Sequence, residues 1–268
     1  MAPQTVRPVP AVKRCIDILD HLAHAHEPQN LSQIARAVGI IPSSALHILR
    51  ELVKGRLVRI DEERKLYSLG WHILELARSL QARDGFADIA QPHLVRIAGA
   101  HHAVASASVF DGKGQIVVVA SCGVTDHAPI HLPVGLRVPF LSSATGRVLA
   151  AFNPYPDASL RAAFDELNWQ RPITYRQWRR ELAEVRANGY AVDEGRYRRG
   201  ITVIAAPVLQ GEHVDKFVGA SMLSEQVSGR ALRELAEEVK RAGQAIAAAM
   251  QGMPSLVPGP SASAGRGL

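Results

Sequence analysis

Residues 31–53 constrain this chain more than any other stretch. Two helical apolar patterns, Ile34, Ala35 and Val38, then Ala45, Ile48, Leu49, Leu52 and Val53, are separated only by Gly39 and the residues up to Pro42. Two short helices that cross closely need a small residue at the crossing and a glycine at the sharp turn, since a larger side chain would separate the helices or strain the backbone. Ala35 and Gly39 meet both needs. Ser32 is the expected cap of the first helix, and Pro42, favoured in a first helical turn, opens the second. The spacing predicts a helix-turn-helix; the competing reading is a helical hairpin packed inside a larger domain. Residues 57–60 and 65–68 favour the former, because they read as two short strands about a charged turn at 61–64, a wing.

Around this motif the periodicity predicts further elements. Val12, Cys15, Ile16, Leu19 and Leu22 give residues 11–26 one apolar helical face. After the wing, Trp71, Leu74, Ala77 and Leu80 recur at helical spacing over 71–83, an amphipathic connector whose apolar stripe needs a partner. Beyond Gly85 the pattern changes. A helix near 87–100 precedes strands near 103–110 and 115–121, joined by the turn sequence Asp111-Gly112-Lys113-Gly114. A further strand is expected near 130–134, helices near 143–152, 156–166 and 175–188, and strands near 190–193, 201–209 and 214–223. A last helix over about 229–251 places Leu232, Leu235, Val239, Ala242, Ile246 and Ala249 on one stripe. This mixed order points to an antiparallel sheet with helices packed on it. The expectation is therefore an α+β chain. Residues 1–10 are expected to be disordered, 11–70 to form a winged helix-turn-helix domain and 71–85 a connector or dimerisation helix. Residues 86–253 then form the larger domain, and 254–268 a disordered tail rich in Pro, Gly and Ser.

Composition bounds the function. The chain has net charge +6 and a pI near 9.6, which raises the odds of a polyanionic partner. The excess is spread, because residues 1–70 hold ten Lys and Arg against seven Asp and Glu. No run of about 18 apolar residues could span a bilayer, so no membrane partner is expected. The Pro-rich residues 1–10 lack the apolar centre of a secretory signal, which favours the cytoplasm. Cys15 and Cys122 sit in apolar stretches and are expected to be buried, reduced thiols.

In a helix-turn-helix the second helix enters the major groove of double-stranded DNA, and its first turns reach base edges and phosphates. Pro42, Ser43, Ser44, His47 and Arg50 are the candidates there, Pro42 through apolar contact alone because it has no amide hydrogen. Ser32 and Gln33 are candidates on the preceding helix. Arg59, Arg64 and Lys65 are candidates on the wing, although Asp61, Glu62 and Glu63 at its tip would repel phosphates. In the larger domain, residues 141–146 read as a helix start, where unpaired amides and the positive dipole end favour a carboxylate. Ser142, Ser143 and Thr145 could add hydroxyl donors; equally, Ser142 could simply cap its helix. Cys122, His127 and His131, with His101 and His102 upstream, fit no zinc spacing, so no metal site or cofactor is expected. There is no nucleophile elbow, phosphate loop or dinucleotide fingerprint, which argues against an enzyme. A purely architectural DNA-binding protein would leave two thirds of the chain unexplained.

The residues resemble the IclR family of bacterial regulators from about Val12 to Met250. The resemblance rests on LSQIARAVGIIPSSALHILRELVKGRLV followed by KLYSLGWHILELA, and later on VGLRVPFLSSATGRVLAAF and NGYAVDEGRYRRGITVIAAPV. It implies a GAF-like domain that binds a small-molecule effector, and assembly as a homodimer or homotetramer. It also implies an effector pocket that includes Leu141, Ser143, Ala144, Asp193 and Val203. Phe110 and Val119 could line such a pocket, but plain core packing is the more ordinary role for both. The chain departs from the family at His47, where an arginine is common, at Val203, where a cysteine is frequent, and at Arg196-Tyr197-Arg198-Arg199, a stretch that is usually acidic.

Overall fold

A computed structural model describes residues 9–123, 130–211 and 213–251; the expectations for the chain ends beyond these, and for His127, lie outside the described residues. The chain divides into two compact units, Met1–Ala82 and Arg83–Leu268.

In the first unit, α1 (Pro10–His24) leads through a two-residue strand β1 (Gln29–Asn30) into α2 (Leu31–Val38) and α3 (Pro42–Lys54), followed by β2 (Val58–Asp61) and β3 (Leu66–Leu69). Helices and wing share one core of Ile18, Leu22, Ile34, Leu49, Leu52, Val58 and Tyr67. Gly39 ends α2 with φ of 70°, a left-handed conformation that costs glycine nothing. The cap of α2 is Asn30, one residue before the expected helix and not Ser32. Its side chain accepts from the Gln33 amide at 3.0 Å, and the Gln33 side chain accepts from the Asn30 amide at 2.8 Å, a reciprocal capping box. Ser32 already lies inside the helix and is exposed. Asn30 also belongs to β1, which pairs with β3 as Asn30 with Leu66, a strand too short to show in the periodicity. The expected buried face of α1 is rotated. Ile18 and Leu22 are buried, Cys15 and Leu19 flank them, and Val12 and Ile16 are exposed, because α1 meets the core over one narrow stripe.

Helix α4 (His72–Asp84) follows the wing. Trp71, Leu74, Ala77 and Leu80 are all exposed, so the apolar stripe foreseen from the sequence has no cover among the described residues.

The second unit is built on a six-stranded antiparallel sheet. Its elements are α5 (Phe86–His101), β4 (Val104–Phe110), β5 (Gln115–Cys122), β6 (Arg137–Pro139), α6 (Ser143–Phe152), α7 (Asp157–Asp165), α8 (Tyr175–Asn188), β7 (Ala191–Glu194), β8 (Ile201–Gln210), β9 (His213–Leu223) and α9 (Gly229–Ala249). The strand order is β6-β5-β4-β9-β8-β7. The third strand lies at 137–139 and not at 130–134. It forms where Arg137 to Pro139 can pair with Gln115 to Val117, and residues 130–134 pair with no strand.

Each face of the sheet carries its own helices. Ala105, Ala107, Ala120, Val218, Ala220 and Met222 pack on one side with Leu94 of α5 and Val239 and Ile246 of α9. On the other side, Ala205 and Phe217 meet Val148 of α6 and Trp178 and Leu182 of α8. Alanines dominate the strands on the first side, and a small side chain there lets a helix approach the sheet closely. Gly243 of α9 shows the limit, since a Cβ there would stand 2.6 Å from the Pro207 carbonyl oxygen. The stripe of α9 is close to the expected one, with Ala236 and Gly243 added and Ala249 exposed. Both cysteines are free and half-buried, less sequestered than their apolar neighbours suggested, and burial pushes the Cys15 thiol pKa up.

One polar link crosses the buried region. Lys216 of β9 is 1 % exposed, and its ammonium lies 3.3 Å from the Asp84 carboxylate at the end of α4 and 3.6 Å from Asp215. The capping box supplies the test of the fold. Asn30→Ala should lower the stability of the first unit by about 1 kcal/mol in urea unfolding, whereas Ser32→Ala should stay within about 0.5 kcal/mol.

Candidate DNA-reading helix and effector site

Helix α3 exposes Pro42, Ser43, His47 and Arg50, while Ala45, Leu49 and Leu52 on its other side are buried. Ser43, His47 and Arg50 are spaced four and three apart, so they share one solvent-facing stripe. Ser44 is half-buried and stands at the edge of that stripe. The cations assigned to the wing are partly occupied. The Arg59 Nε donates to Ser68 Oγ at 2.7 Å, its guanidinium lies 5.7 Å from the Trp71 ring, and Lys65 pairs with Glu62 at 2.9 Å. Asp61 folds the tip by accepting from the Glu63 and Arg64 amides, which leaves the Arg64 side chain exposed and unpaired among the described residues. On α2, Gln33 is held in the capping box, so Ser32 is the freer of the two candidates there.

In the second unit the segment singled out before α6 makes a tight turn against the sheet. Ser142 takes the position of a helix cap but does not cap. Its hydroxyl donates to the Pro139 carbonyl oxygen at 2.6 Å, and no side chain accepts from the first-turn amides of α6. Ser143 has φ of 56°, a left-handed backbone unusual for a residue with a Cβ. Gly146 explains how closely the turn closes, because a Cβ there would stand 2.1 Å from the Leu141 carbonyl carbon. Leu141 and Ala144 are buried, and Thr145 is half-buried.

The turn is held by a residue that sequence reasoning passed over. Arg147 is 2 % exposed; its Nε donates to Glu181 of α8 at 2.7 Å, and one terminal nitrogen donates to the Ser143 carbonyl oxygen at 2.9 Å and to Asp193 of β7 at 3.2 Å. Asp193, 1 % exposed, also accepts from Ser143 Oγ at 3.4 Å and from the Tyr197 amide at 3.1 Å. The guanidinium stacks 5.6 Å from the Trp169 ring. Three elements are thus tied at one cation, and the Asp193 charge is met before any ligand arrives.

Sheet register extends the site. Asp193 lies opposite Val203, and Val203 opposite Ser221. Ala220 and Met222 belong to the α5 and α9 side, so Ser221 between them faces α6, as alternation along a strand requires. By the same alternation Ser106 and Ser121, paired with each other, face that side. On the α6 side the sheet is therefore small and polar over two neighbouring cross-strand rows, Asp193-Val203-Ser221 and Ser121-Ser106-Gly219-Ala205. The period-two serines Ser106 and Ser108 in VASASVF were the available signal. Phe110 packs against Phe140 with ring centroids 5.9 Å apart, and Val119 lies on the opposite face, so both serve the core. A separate cleft of about 450 Å³ between α8 and β7 is lined by three arginines and four carboxylates, so an anion gains no net attraction there.

Two family models match this chain: the IclR helix-turn-helix domain over residues 11–62 and the bacterial transcriptional regulator IclR C-terminal domain over residues 79–248. The chain belongs to the IclR family. It is an IclR-type DNA-binding transcription regulator, with the helix-turn-helix in the first unit and the antiparallel sheet with flanking helices in the second. Among IclR relatives, the glycerol operon regulatory protein of Streptomyces coelicolor is 28% identical over 212 residues, covering 75% of this chain and 80% of its own. The solved IclR transcriptional regulator of Alicyclobacillus acidocaldarius is 24% identical, covers 90% of this chain and 99% of its own, and superposes with a TM-score of 0.75. An IclR homologue from Microbacterium hydrocarbonoxydans, solved in complex with 4-hydroxybenzoate, is 19% identical with a TM-score of 0.77, over 90% of this chain and 99% of its own.

The buried ion pair generates a measurable expectation for this IclR fold. Arg147→Met should cost roughly 3–5 kcal/mol, because it strands the Asp193 carboxylate without a cation. Adding Asp193→Asn should recover much of that loss. Additive losses in a double-mutant cycle would mean the two residues act separately.

Proposed function

We propose that the second unit binds a small organic carboxylate, an aromatic acid or its breakdown product, at the start of α6, and that this effector sets the affinity of the first unit for its operator. The observation that carries the reading is the uncapped first turn of α6 above a polar sheet face. Among the described residues no side chain accepts from its amides, its dipole favours an anion, and Arg147 offsets part of the charge of Asp193 and Glu181, which share it. Thr145 and Ser221 offer hydroxyl donors, and Ser143 does so by releasing Asp193, while Leu141, Ala144 and Val203 bound the apolar part. Ser142 contributes its backbone rather than its hydroxyl, which Pro139 already holds. The bound 4-hydroxybenzoate of the Microbacterium relative is an acid of this class.

On DNA, α3 enters the major groove with Ser43, His47 and Arg50 leading, Pro42 in apolar contact and Ser44 at the margin. Ser32 of α2 and Arg64 of the wing reach phosphates, and Gln33, Arg59 and Lys65 contribute only by giving up present partners. The uncovered Trp71, Leu74 and Leu80 stripe pairs two copies into a dimer, or two dimers into a tetramer, so that two α3 helices meet a two-fold symmetric site. The effector acts by binding one arrangement of the assembly more tightly than another. The relatives are named regulators, and no observation favours an enzyme. Among the described residues no helix is long and apolar enough to cross a membrane.

The decisive experiment is a mobility-shift titration against the DNA upstream of the protein's own gene, over a salt series and with a panel of carboxylates led by 4-hydroxybenzoate. Sequence-specific retardation that weakens with salt is expected for the wild type. Arg50→Ala should weaken it roughly ten- to a hundredfold. Val203→Phe should keep the DNA affinity and lose the response to the active carboxylate; an intact response in that variant would remove the sheet row from the effector site.

A further inference from the structure

A dense run of arginines lies outside the helix-turn-helix. Residues 171–199 contain eight arginines, no lysine and four carboxylates, a net charge of +4 in a chain of net +6. The two flanks of α8 divide this charge. Glu181 and Glu184 face the cleft beside β7, while Arg176, Arg179, Arg180 and Arg186 line a shallow surface hollow with Tyr175 and Ala183. All four arginines are exposed. Arg179 pairs with Asp157 at 3.1 Å, and Arg186 donates to the Ala151 carbonyl oxygen. Arg176 and Arg180 have no carboxylate partner among the described residues. Two unpaired cations beside two paired ones cost self-repulsion and contribute nothing to the core, which Trp178, Leu182 and Val185 reach from the other side of the helix.

We propose that this arginine face of α8 is a second, sequence-independent contact to the DNA phosphate backbone. The chemistry favours phosphate. Arginine presents a planar fork that binds phosphate oxygens in pairs. The row from Arg176 to Arg186 spans about 15 Å of helix, which matches roughly four phosphates along one strand. The hollow is open, as a rod-shaped partner requires. A second copy of the chain is a poor occupant, because it carries the same positive excess.

Since phosphate contacts ignore sequence, any duplex serves as the probe. Full-length wild type and the double variant Arg176→Ala/Arg180→Ala should be titrated with a random-sequence duplex across a salt series. Losing two phosphate contacts should make the slope of log K against log salt shallower by about 1.8. Arg176→Lys/Arg180→Lys should keep the slope, which separates loss of charge from loss of fold. Equal slopes for wild type and the alanine variant would overturn the proposal. So would capture of an acidic protein by the arginine face with DNA binding untouched.

Discussion

A single buried guanidinium holds the second unit together at the place where chemistry is wanted. Arg147 is out of water, so its charge must be met in full by protein, and Glu181, Asp193 and the Ser143 carbonyl meet it from α8, β7 and the turn before α6. Because these partners come from separate elements, the ion pair fixes their mutual positions more tightly than apolar packing alone could. Trp169 closes the remaining side. The start of α6 is thereby pinned over the sheet with its amides uncommitted. The same ties require a left-handed Ser143, a conformation the surrounding contacts must hold.

Much of the architecture was legible because its signals are local. Ala35 and Gly39 dictate the crossing of α2 and α3, and a nearly continuous apolar run marks β8, a strand covered on both faces. The misreadings differ in cause. The cap of α2 was a local signal, because Asn30 has Gln33 three residues on, the spacing of a capping box, whereas Ser32 has Ala35. The strand at 137–139 exists through Gln115 to Val117. Val12 and Ile16 look buried in a helical pattern but lie off the stripe that the core of the first unit covers.

The candidate site divides in the same way. The residues of α3 follow from the motif, and the segment 141–146 stands out as a helix start. Arg147 sat in plain view within SSATGR, yet an arginine in a sequence reads as surface until a structure shows Glu181 and Asp193, 34 and 46 residues away, closing on it. Ser221 likewise gains meaning only from its register against Val203.

Gly146 carries a consequence for how such a protein can change over time. With no room for a Cβ above Leu141, and with Arg147 beside it bound to two acids, the helix side of the site is nearly frozen: almost any substitution there is lost through misfolding before selection can act on ligand preference. The strand side carries no such burden. Ser106, Ser121, Val203 and Ser221 lie on a sheet whose hydrogen bonds are made by backbone, so their side chains can be exchanged at modest cost. New ligand specificities should accumulate by drift along the strands while the helix turn is inherited unchanged, a division between fixed scaffold and variable lining that gives this architecture its capacity to diversify.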